Sequence, residues 1–342
     1  MIYHDTDKDI KAVGKLLRNG EIVAIPTETV YGLAANAYDG NAVRKIFEAK
    51  RRPCDNPLIV HIADISAANE FAEPNEMFYK LAEKFMPGPI TLIIPKKDNL
   101  PDEVCAGLLS VAVRYPDHPT TQKIIKAAGV PLAAPSANLS GSPSPTTAKH
   151  VIDDFGDHIP VLDAGKCRCG LESTVVSLLG ETPVLLRPGF ITNEMLKKVL
   201  PNITIGQGVM EDLGNNEKPL SPGLKHRHYA PKADTTGVRG RTENAVHFIN
   251  HNSGNNTIVI CFDEEKNLYT AKTISYGRAD NPEQLASNLF DALRKADAGH
   301  PENIFIRTPE TDGIGLAVYN RLLRATGFHI IDTDTTHTEE SV

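Results

Sequence analysis

The chain has 342 residues, 36 basic against 43 acidic, for a net charge of −7, with 41% hydrophobic and 23% charged residues. That length suggests about two domains with a sizeable core, and the composition excludes both a strongly basic nucleic-acid-coating protein and a disordered scaffold. No run approaches the ~18 apolar residues of a membrane helix, and the start Met1-Ile2-Tyr3-His4-Asp5 does not read as a signal peptide. The cysteines at 54, 105, 167, 169 and 261 are too scattered for a disulfide framework, so a cytoplasmic location with no membrane partner is expected.

Along the chain, helical periodicity and short β-branched runs alternate. The first helix is expected over residues 9–18, where Ile10, Val13, Leu16 and Leu17 share a face, Thr6 and Asp7 are available as caps and Gly20 follows. Further helices are expected at 41–50, 75–85, 120–128, 146–155 and 193–200. Strands are expected at 22–25, 58–62, 91–94, 111–113, 131–134, 174–179 and 184–186. This is a mixed α/β order, neither all-β nor a helical bundle. Residues 206–235 then lose periodicity under Gly206, Gly208, Gly214, Pro219, Pro222, Gly223 and Pro231, and read as a linker. Strands at 257–262, 273–275 and 303–306 alternate with helices at 243–250, 282–296 and 316–325, which suggests a small, parallel, doubly wound sheet. The tail from 333 to 342 is expected to fray.

Charge is unevenly spread. Residues 1–205 carry 22 basic and 24 acidic groups, residues 206–235 four of each, and residues 236–342 ten and 15. The acidity lies mostly in the C-terminal third, so a basic pocket in the first part is compatible with the total.

Several motifs are missing: no GxxxxGK[ST] loop, no GxSxG elbow and no HExxH. Gly313-Ile314-Gly315 lacks a third glycine for dinucleotide binding, and Cys167-Arg168-Cys169 has no second cysteine pair for zinc. His226 and His228 read as loop histidines. What remains is a set of loops rich in hydroxyls and cations: Pro26-Thr27-Glu28-Thr29-Val30-Tyr31-Gly32, Lys50-Arg51-Arg52-Pro53, Arg114 at a strand end, Ser136-Ala137-Asn138, Ser144-Pro145-Thr146, Glu172-Ser173-Thr174 and Arg187-Pro188-Gly189. Arg and Lys pair with phosphate or carboxylate, while hydroxyls and an Asn amide meet the remaining oxygens. Each motif alone has an ordinary structural explanation: Lys50 to Arg52 as compensation of a helix dipole, Arg114 and Arg187 as surface ion pairs, Ser136 to Asn138 as a turn, His61 as a core histidine. Together they describe an anion-binding α/β protein.

Read in order, the same segments resemble the YrdC-like family of threonylcarbamoyl-AMP synthases. The resemblance rests on Pro26-Thr27-Glu28-Thr29-Val30-Tyr31-Gly32-Leu33, on Lys50-x-Arg52-Pro53 followed by Asn56-Pro57-Leu58-Ile59-Val60-His61, and on Pro87-Gly88-Pro89-Ile90-Thr91. It continues through Val113-Arg114-x-Pro116, Pro135-Ser136-Ala137-Asn138, Ser144-Pro145-Thr146, Glu172-Ser173-Thr174-Val175 and Leu186-Arg187-Pro188-Gly189. Ser221-Pro222-Gly223-Leu224-Lys225-His226-Arg227-His228-Tyr229-Ala230-Pro231 and Gly313-Ile314-Gly315-Leu316-Ala317-Val318-Tyr319-Asn320-Arg321 are similar to the linker and last helix of the two-domain subgroup.

The resemblance implies an α/β fold: a YrdC-like twisted mixed sheet with helices over 1–205, a linker or lid over 206–235, and a smaller Rossmann-like parallel α/β domain over 236–332. It implies a nucleotidyltransferase that makes threonylcarbamoyl-AMP and pyrophosphate from L-threonine, bicarbonate or CO2, and ATP with Mg2+. The product would be handed to a separate tRNA threonylcarbamoyl transferase for adenosine 37, with weak or no direct RNA binding by this chain. Lys50 and Arg52 are the expected catalytic residues. They are joined at ATP by Cys54, Ser110, Ser136, Asn138, Ser144, Arg187 and Tyr229. Threonine is expected on Thr27, His61, Arg114, Ala134 and Ser173, with no metal ligated directly by protein. Tyr229, Lys225 and Arg227 are expected to close over the site. An alternative is an RNA-binding protein that uses the same basic concavity; net −2 over residues 1–205 and the lack of Trp count against it. Another is a carbamoyl-adenylate enzyme like the hydrogenase-maturation carbamoyltransferases, which carry additional zinc-finger and acylphosphatase domains; neither the paired Cys motifs nor the length of those proteins is found in this sequence.

Overall fold

The computed structural model describes residues 1–211 and 229–335. They divide into two compact units, residues 1–140 with 144–211, and residues 141–143 with 229–335.

The strands of the first unit are β1 (Ile2–His4), β2 (Val23–Ile25), β3 (Gly32–Asn36), β4 (Ile59–His61), β5 (Ile90–Pro95), β6 (Ser110–Arg114), β7 (Leu132–Ala133), β8 (Val161–Asp163), β9 (Thr174–Ser177), β10 (Val184–Arg187) and β11 (Thr204–Ile205). They hydrogen-bond in the order β1-β8-β2-β3-β7-β4-β6-β5-β9-β10-β11, with parallel and antiparallel neighbours mixed. Four of these strands carry no expectation from sequence: β1, β3, β8 and β11. The segment Gly32-Leu33-Ala34-Ala35-Asn36 has no β-branched residue. It is extended because β2 and β7 flank it and its small side chains allow close burial between them.

The helices end where local chemistry ends them. The first runs Asp7–Arg18, two residues earlier than its apolar spacing suggests, because the Thr6 hydroxyl accepts from Asp9 N at 3.2 Å. The helix Gly40–Lys50 is capped by Asp39, which accepts from Asn41 N and Ala42 N. It stops at Arg51, held in the left-handed region at φ 51°, so Lys50 occupies the last turn. The expected helix at 193–200 is shorter, Asn193–Lys197.

Strand pleating gives the sheet two different faces. Val60, Leu92, Val113, Val176 and Leu185 belong to the main core with Phe71, Phe78, Leu81 and Phe85. The opposite positions Ile59, Ile93, Ala112 and Val175 form a small separate apolar cluster.

The second unit has five strands, β12 (Asp234–Arg239), β13 (Thr257–Phe262), β14 (Lys272–Gly277), β15 (Asn303–Arg307) and β16 (Ile330–Asp332), all parallel in the order β14-β13-β15-β12-β16. The helices Thr242–Asn252, Pro282–Asp297 and Gly313–Ala325 alternate with them. β12 begins at Asp234, inside the segment read as linker. At the other end Thr333 and Asp334 are held rather than frayed: Thr333 N and Oγ1 both donate to Arg239 O, and Asp334 accepts from Arg241 N and Asn244 Nδ2. No helix among the described residues is long and apolar enough to cross a membrane.

One buried ion pair organises this second sheet. Arg307 Nε donates to both Glu265 oxygens at 3.0 Å, and its Nη1 and Nη2 donate to Val238 O and Gly240 O. Tyr269 and Thr242 hydroxyls donate to the same carboxylate. Every oxygen and nitrogen of the pair is therefore matched, which offsets the desolvation of two charges. Removing one partner strands the other: Glu265→Ala is expected to destabilise this unit by about 3–5 kcal/mol in urea unfolding of the whole chain.

Candidate active site

Part of the polar set picked out from sequence, His61, Ser110, Arg114 and Arg187, lies on the sheet face that carries the small apolar cluster. On β6, Ser110, Ala112 and Arg114 alternate onto that face. Register pairs Ile59 with Ala112 and His61 with Arg114, so His61 lies beside Arg114. Thr91 pairs with Val175, and Arg187 pairs with Val175 from the other side. Ser173, two residues before Val175, is bonded to Thr91 through their hydroxyls at 2.7 Å. Arg187 Nε donates to Ser173 O at 3.0 Å and its Nη2 to Ser173 Oγ at 3.2 Å. The floor is small and apolar, and the functional groups rise from it.

Backbone hydrogen bonds stitch the surrounding loops together. Leu33 N and Ala137 N bond Pro135 O and Tyr31 O, Tyr31 N bonds Pro145 O, Cys167 N bonds Thr146 O, and Cys169 N bonds Glu28 O. Lys50, 1% exposed, donates from Nζ to Ser136 O and Asn138 O, while Ser140 N returns a bond to Lys50 O. Burial, and then the neighbouring Arg52 charge, push its ammonium well below the usual lysine value. Arg52 is buried beside it and reaches Asn56 O and Pro57 O only at 3.4 Å. Ser136 donates to Asn138 Oδ1 at 2.5 Å, and Ser144 donates to the Glu172 carboxylate.

The structure brings Lys50 onto Ser136 and Asn138 with the Arg52 charge nearby, and on the sheet sets His61 beside Arg114 and Ser173 beside Arg187. Ser110 sits on the same face of β6, and Ala134 is buried after β7, its N–H bonded to Ile59 O. The Thr27 hydroxyl is consumed locally: it donates to Val30 O, accepts from Thr29 N and Val30 N, and meets Thr29 Oγ1 at 2.8 Å. Thr27 therefore shapes its own turn. Cys54 is an exposed free thiol. Tyr229 belongs to the second unit, buried there with its ring 5.1 Å from that of Phe290. Lys225, Arg227, His226 and His228 lie outside the described residues, as does most of the segment read as a lid.

Two carboxylates had no assigned role from sequence. Glu28, 2% exposed, lies 2.8 Å from Arg114 Nη2, and Glu172 accepts from Ser144. The signal for Glu28 was an acidic residue between two threonines in a turn that follows an apolar strand. Cys167 and Cys169 are buried free thiols beside this turn, and burial pushes both up to about 12.

The chain thus combines a mixed sheet that carries buried cations and hydroxyls on one face with a separate, all-parallel α/β unit. Residues 15–189 match the family model described as telomere recombination, and residues 191–327 match that of the threonylcarbamoyl-AMP synthase C-terminal domain. The threonylcarbamoyl-AMP synthase of Bacillus subtilis is 45% identical over 331 residues, 95% of each chain, and that of Pyrococcus abyssi 43% over 335 residues, 94% of this chain and 95% of that one. The crystal structure of P. abyssi Sua5 complexed with L-threonine matches with a TM-score of 0.91 at 41% identity, covering 97% of this chain and 99% of that one. Escherichia coli YciO, at 21% identity, shares the fold over 55% of this chain (TM-score 0.51). The chain belongs to the two-domain Sua5 family of threonylcarbamoyl-AMP synthases.

His61 gives a pH prediction. Its ring is buried beside Arg114, with Nδ1 3.1 Å from Ile59 O, and burial followed by the Arg114 charge lowers its pKa to about 3. An unfolded histidine titrates near 6.5, so between about pH 3 and 6.5 the unfolded chain binds the extra proton. The stability that His61 contributes is complete above about pH 6.5 and is lost as the pH falls towards 3, at up to about 1.4 kcal/mol per unit. Urea unfolding between pH 7 and 5 is expected to show a shallower loss for His61→Gln than for the parent; equal slopes would contradict the neutral, buried ring.

Proposed function

We propose that this chain forms L-threonylcarbamoyl-AMP and pyrophosphate from L-threonine, bicarbonate or CO2, and ATP, as a nucleotidyltransferase. The observation that carries this reading is the burial of four cations, Lys50 and Arg52 at a helix end against the Ser136–Asn138 loop and Arg114 and Arg187 on the sheet beside hydroxyls and a carboxylate. Such a set suits a reaction with a carboxylate substrate and a triphosphate and needs no covalent nucleophile. It is supported by relatives named threonylcarbamoyl-AMP synthase along nearly the whole chain.

Each residue then takes a physical role. Arg114 faces the threonine carboxylate, with Ser173 offering its hydroxyl and His61, neutral, lining the pocket with Ala134 and the turn made by Thr27. The carbamate oxygen attacks the α-phosphate and pyrophosphate leaves. Lys50 and Arg52 stabilise the charge that develops there, worth most where water is excluded. Ser110, Ser136, Asn138, Ser144, Arg187 and Cys54 complete the nucleotide site on this reading. Magnesium enters with the substrate as MgATP. Lys50 and Arg52, the side chains this reading places at the phosphates, are cationic, so the ion would ride on phosphate oxygens. The labile product would pass to a tRNA threonylcarbamoyl transferase.

The test is incubation of the chain with MgATP, labelled bicarbonate and either threonine or serine. Threonine-dependent pyrophosphate release with label in an adenylate is expected; release indifferent to the amino acid would overturn the reading. Arg52→Ala and Lys50→Ala should each lower turnover roughly 100-fold or more, the scale of a lost charge-stabilising donor. Arg114→Ala should weaken threonine in calorimetry far more than ATP.

A further inference from the structure

Glu28 and Arg114 form an ion pair unlike the other buried Arg–Glu pair among the described residues. Their closest approach is 2.8 Å, and they are 2% and 4% exposed. Yet both Glu28 oxygens and Nε and Nη2 of Arg114 have no hydrogen-bond partner among the described residues. The Arg307–Glu265 pair in the second unit shows how the same two groups look when they serve stability: both oxygens and three guanidinium nitrogens are matched. Ionised groups withdrawn from water without hydrogen bonds cost several kcal/mol. In Glu28–Arg114 that cost stands against unused donors on one partner and unused acceptors on the other, side by side.

A molecule that offsets this must bring a carboxylate for Arg114 and a cationic donor for Glu28, within one small frame. An α-amino-acid zwitterion has that pattern. The other groups facing Glu28 do not provide it: His118 is driven towards its neutral form by burial, and the Cys167 and Cys169 thiols are held protonated. Arg114 is the one cation in contact among the described residues. We propose that Glu28 receives the α-ammonium of the amino-acid substrate and takes the proton that must leave before its nitrogen can be carboxylated. This rests on the reaction proposed above.

The step balances simply. One N–H proton moves from the ammonium to a Glu28 oxygen. The freed nitrogen pair forms the N–C bond to CO2, one C=O pair moves onto oxygen, and a second N–H proton leaves to water. The products are the carbamate, neutral Glu28 and hydronium.

The test compares the parent with Glu28→Gln, which keeps the shape and removes the charge. By calorimetry, Glu28→Gln should bind threonine about 10-fold or more weakly, the scale of a lost charge-assisted hydrogen bond. Binding of 3-hydroxybutyrate, which has the carboxylate and hydroxyl but no ammonium, should be unchanged. At saturating threonine, parent turnover should be flat from pH 6 to 8, whereas Glu28→Gln should rise about 10-fold per unit, because only amine already free in solution can react. Equal loss of both ligands, no loss of threonine, or a flat profile in Glu28→Gln would each overturn the assignment. If Glu28→Gln unfolds, Glu28→Asp replaces it, and must keep both the preference for threonine over 3-hydroxybutyrate and the flat profile, at lower turnover. A parent that releases no pyrophosphate would refute the reaction, while the comparison of the two ligands would still decide the ammonium contact.

Discussion

A lysine ammonium taken wholly out of water must be surrounded by oxygen, and much of the first unit follows from how Lys50 meets that demand. The helix Gly40–Lys50 has to stop at Lys50 for the side chain to be free to turn, and Arg51 in the left-handed region stops it. The oxygens come from Ser136 and Asn138, whose loop must therefore lie against the helix end. That loop is in turn bonded to Tyr31 and Leu33, and Tyr31 to Pro145. One buried charge thus fixes the distance between three loops that are far apart in the chain. A surface lysine would impose nothing of the kind.

The sheet contributes the second half of the arrangement by simple alternation. Each strand that sends Val60, Leu92, Val113 or Val176 into the main core sends its neighbours to the other side. There short or polar residues, Ala112, Thr91, His61 and Arg114, stand among Ile59 and Ile93. A face that packed against large apolar side chains could not keep charged groups on it. Because Ile59, Ile93, Ala112 and Val175 make only a thin floor, long side chains such as Arg114 and Arg187 lie over it with their guanidinium groups close to hydroxyls and carboxylate. Position along the strand, rather than flexible reach, sets their geometry, which is what electrostatic preorganisation requires.

The sequence carried those parts of the fold whose signal is local. Strands 257–262 and 303–306 and the helix from 282 were legible because apolar period and caps agree. β3 was not, since Gly32-Leu33-Ala34-Ala35-Asn36 becomes a strand only when β2 and β7 lie on either side. β1, β8 and β11 are two or three residues long and depend on partners far away in the chain. Among the site residues, the cations and hydroxyls were legible as residue types that recognise anions. Glu28 was not, because an acidic residue in a turn looks like any solvated carboxylate until its burial and its arginine neighbour are seen. Thr27 shows the opposite case: a hydroxyl in the right place by motif, whose hydrogen-bonding capacity is taken up by its own turn.

Net charge was the least informative quantity, for a reason the site makes plain. A charge at the surface is screened within about 10 Å at 0.1 M salt, whereas a buried pair acts through a medium of much lower effective dielectric. The 24 acidic groups among residues 1–205 outnumber the basic ones, but exposed Asp7, Glu76 and Asp102 exert little at the sheet face. Lys50, Arg52, Arg114 and Arg187 exert much more, being at most 9% exposed. The same burial limits how many such cations can share a face: each lowers the charge affinity of the next, as Arg52 does for Lys50 and Arg114 for His61. A cluster of this kind is held near the limit of what carbonyls and carboxylates can compensate. It therefore gains most from an anion, because the anion supplies the oxygens and the negative charge at once.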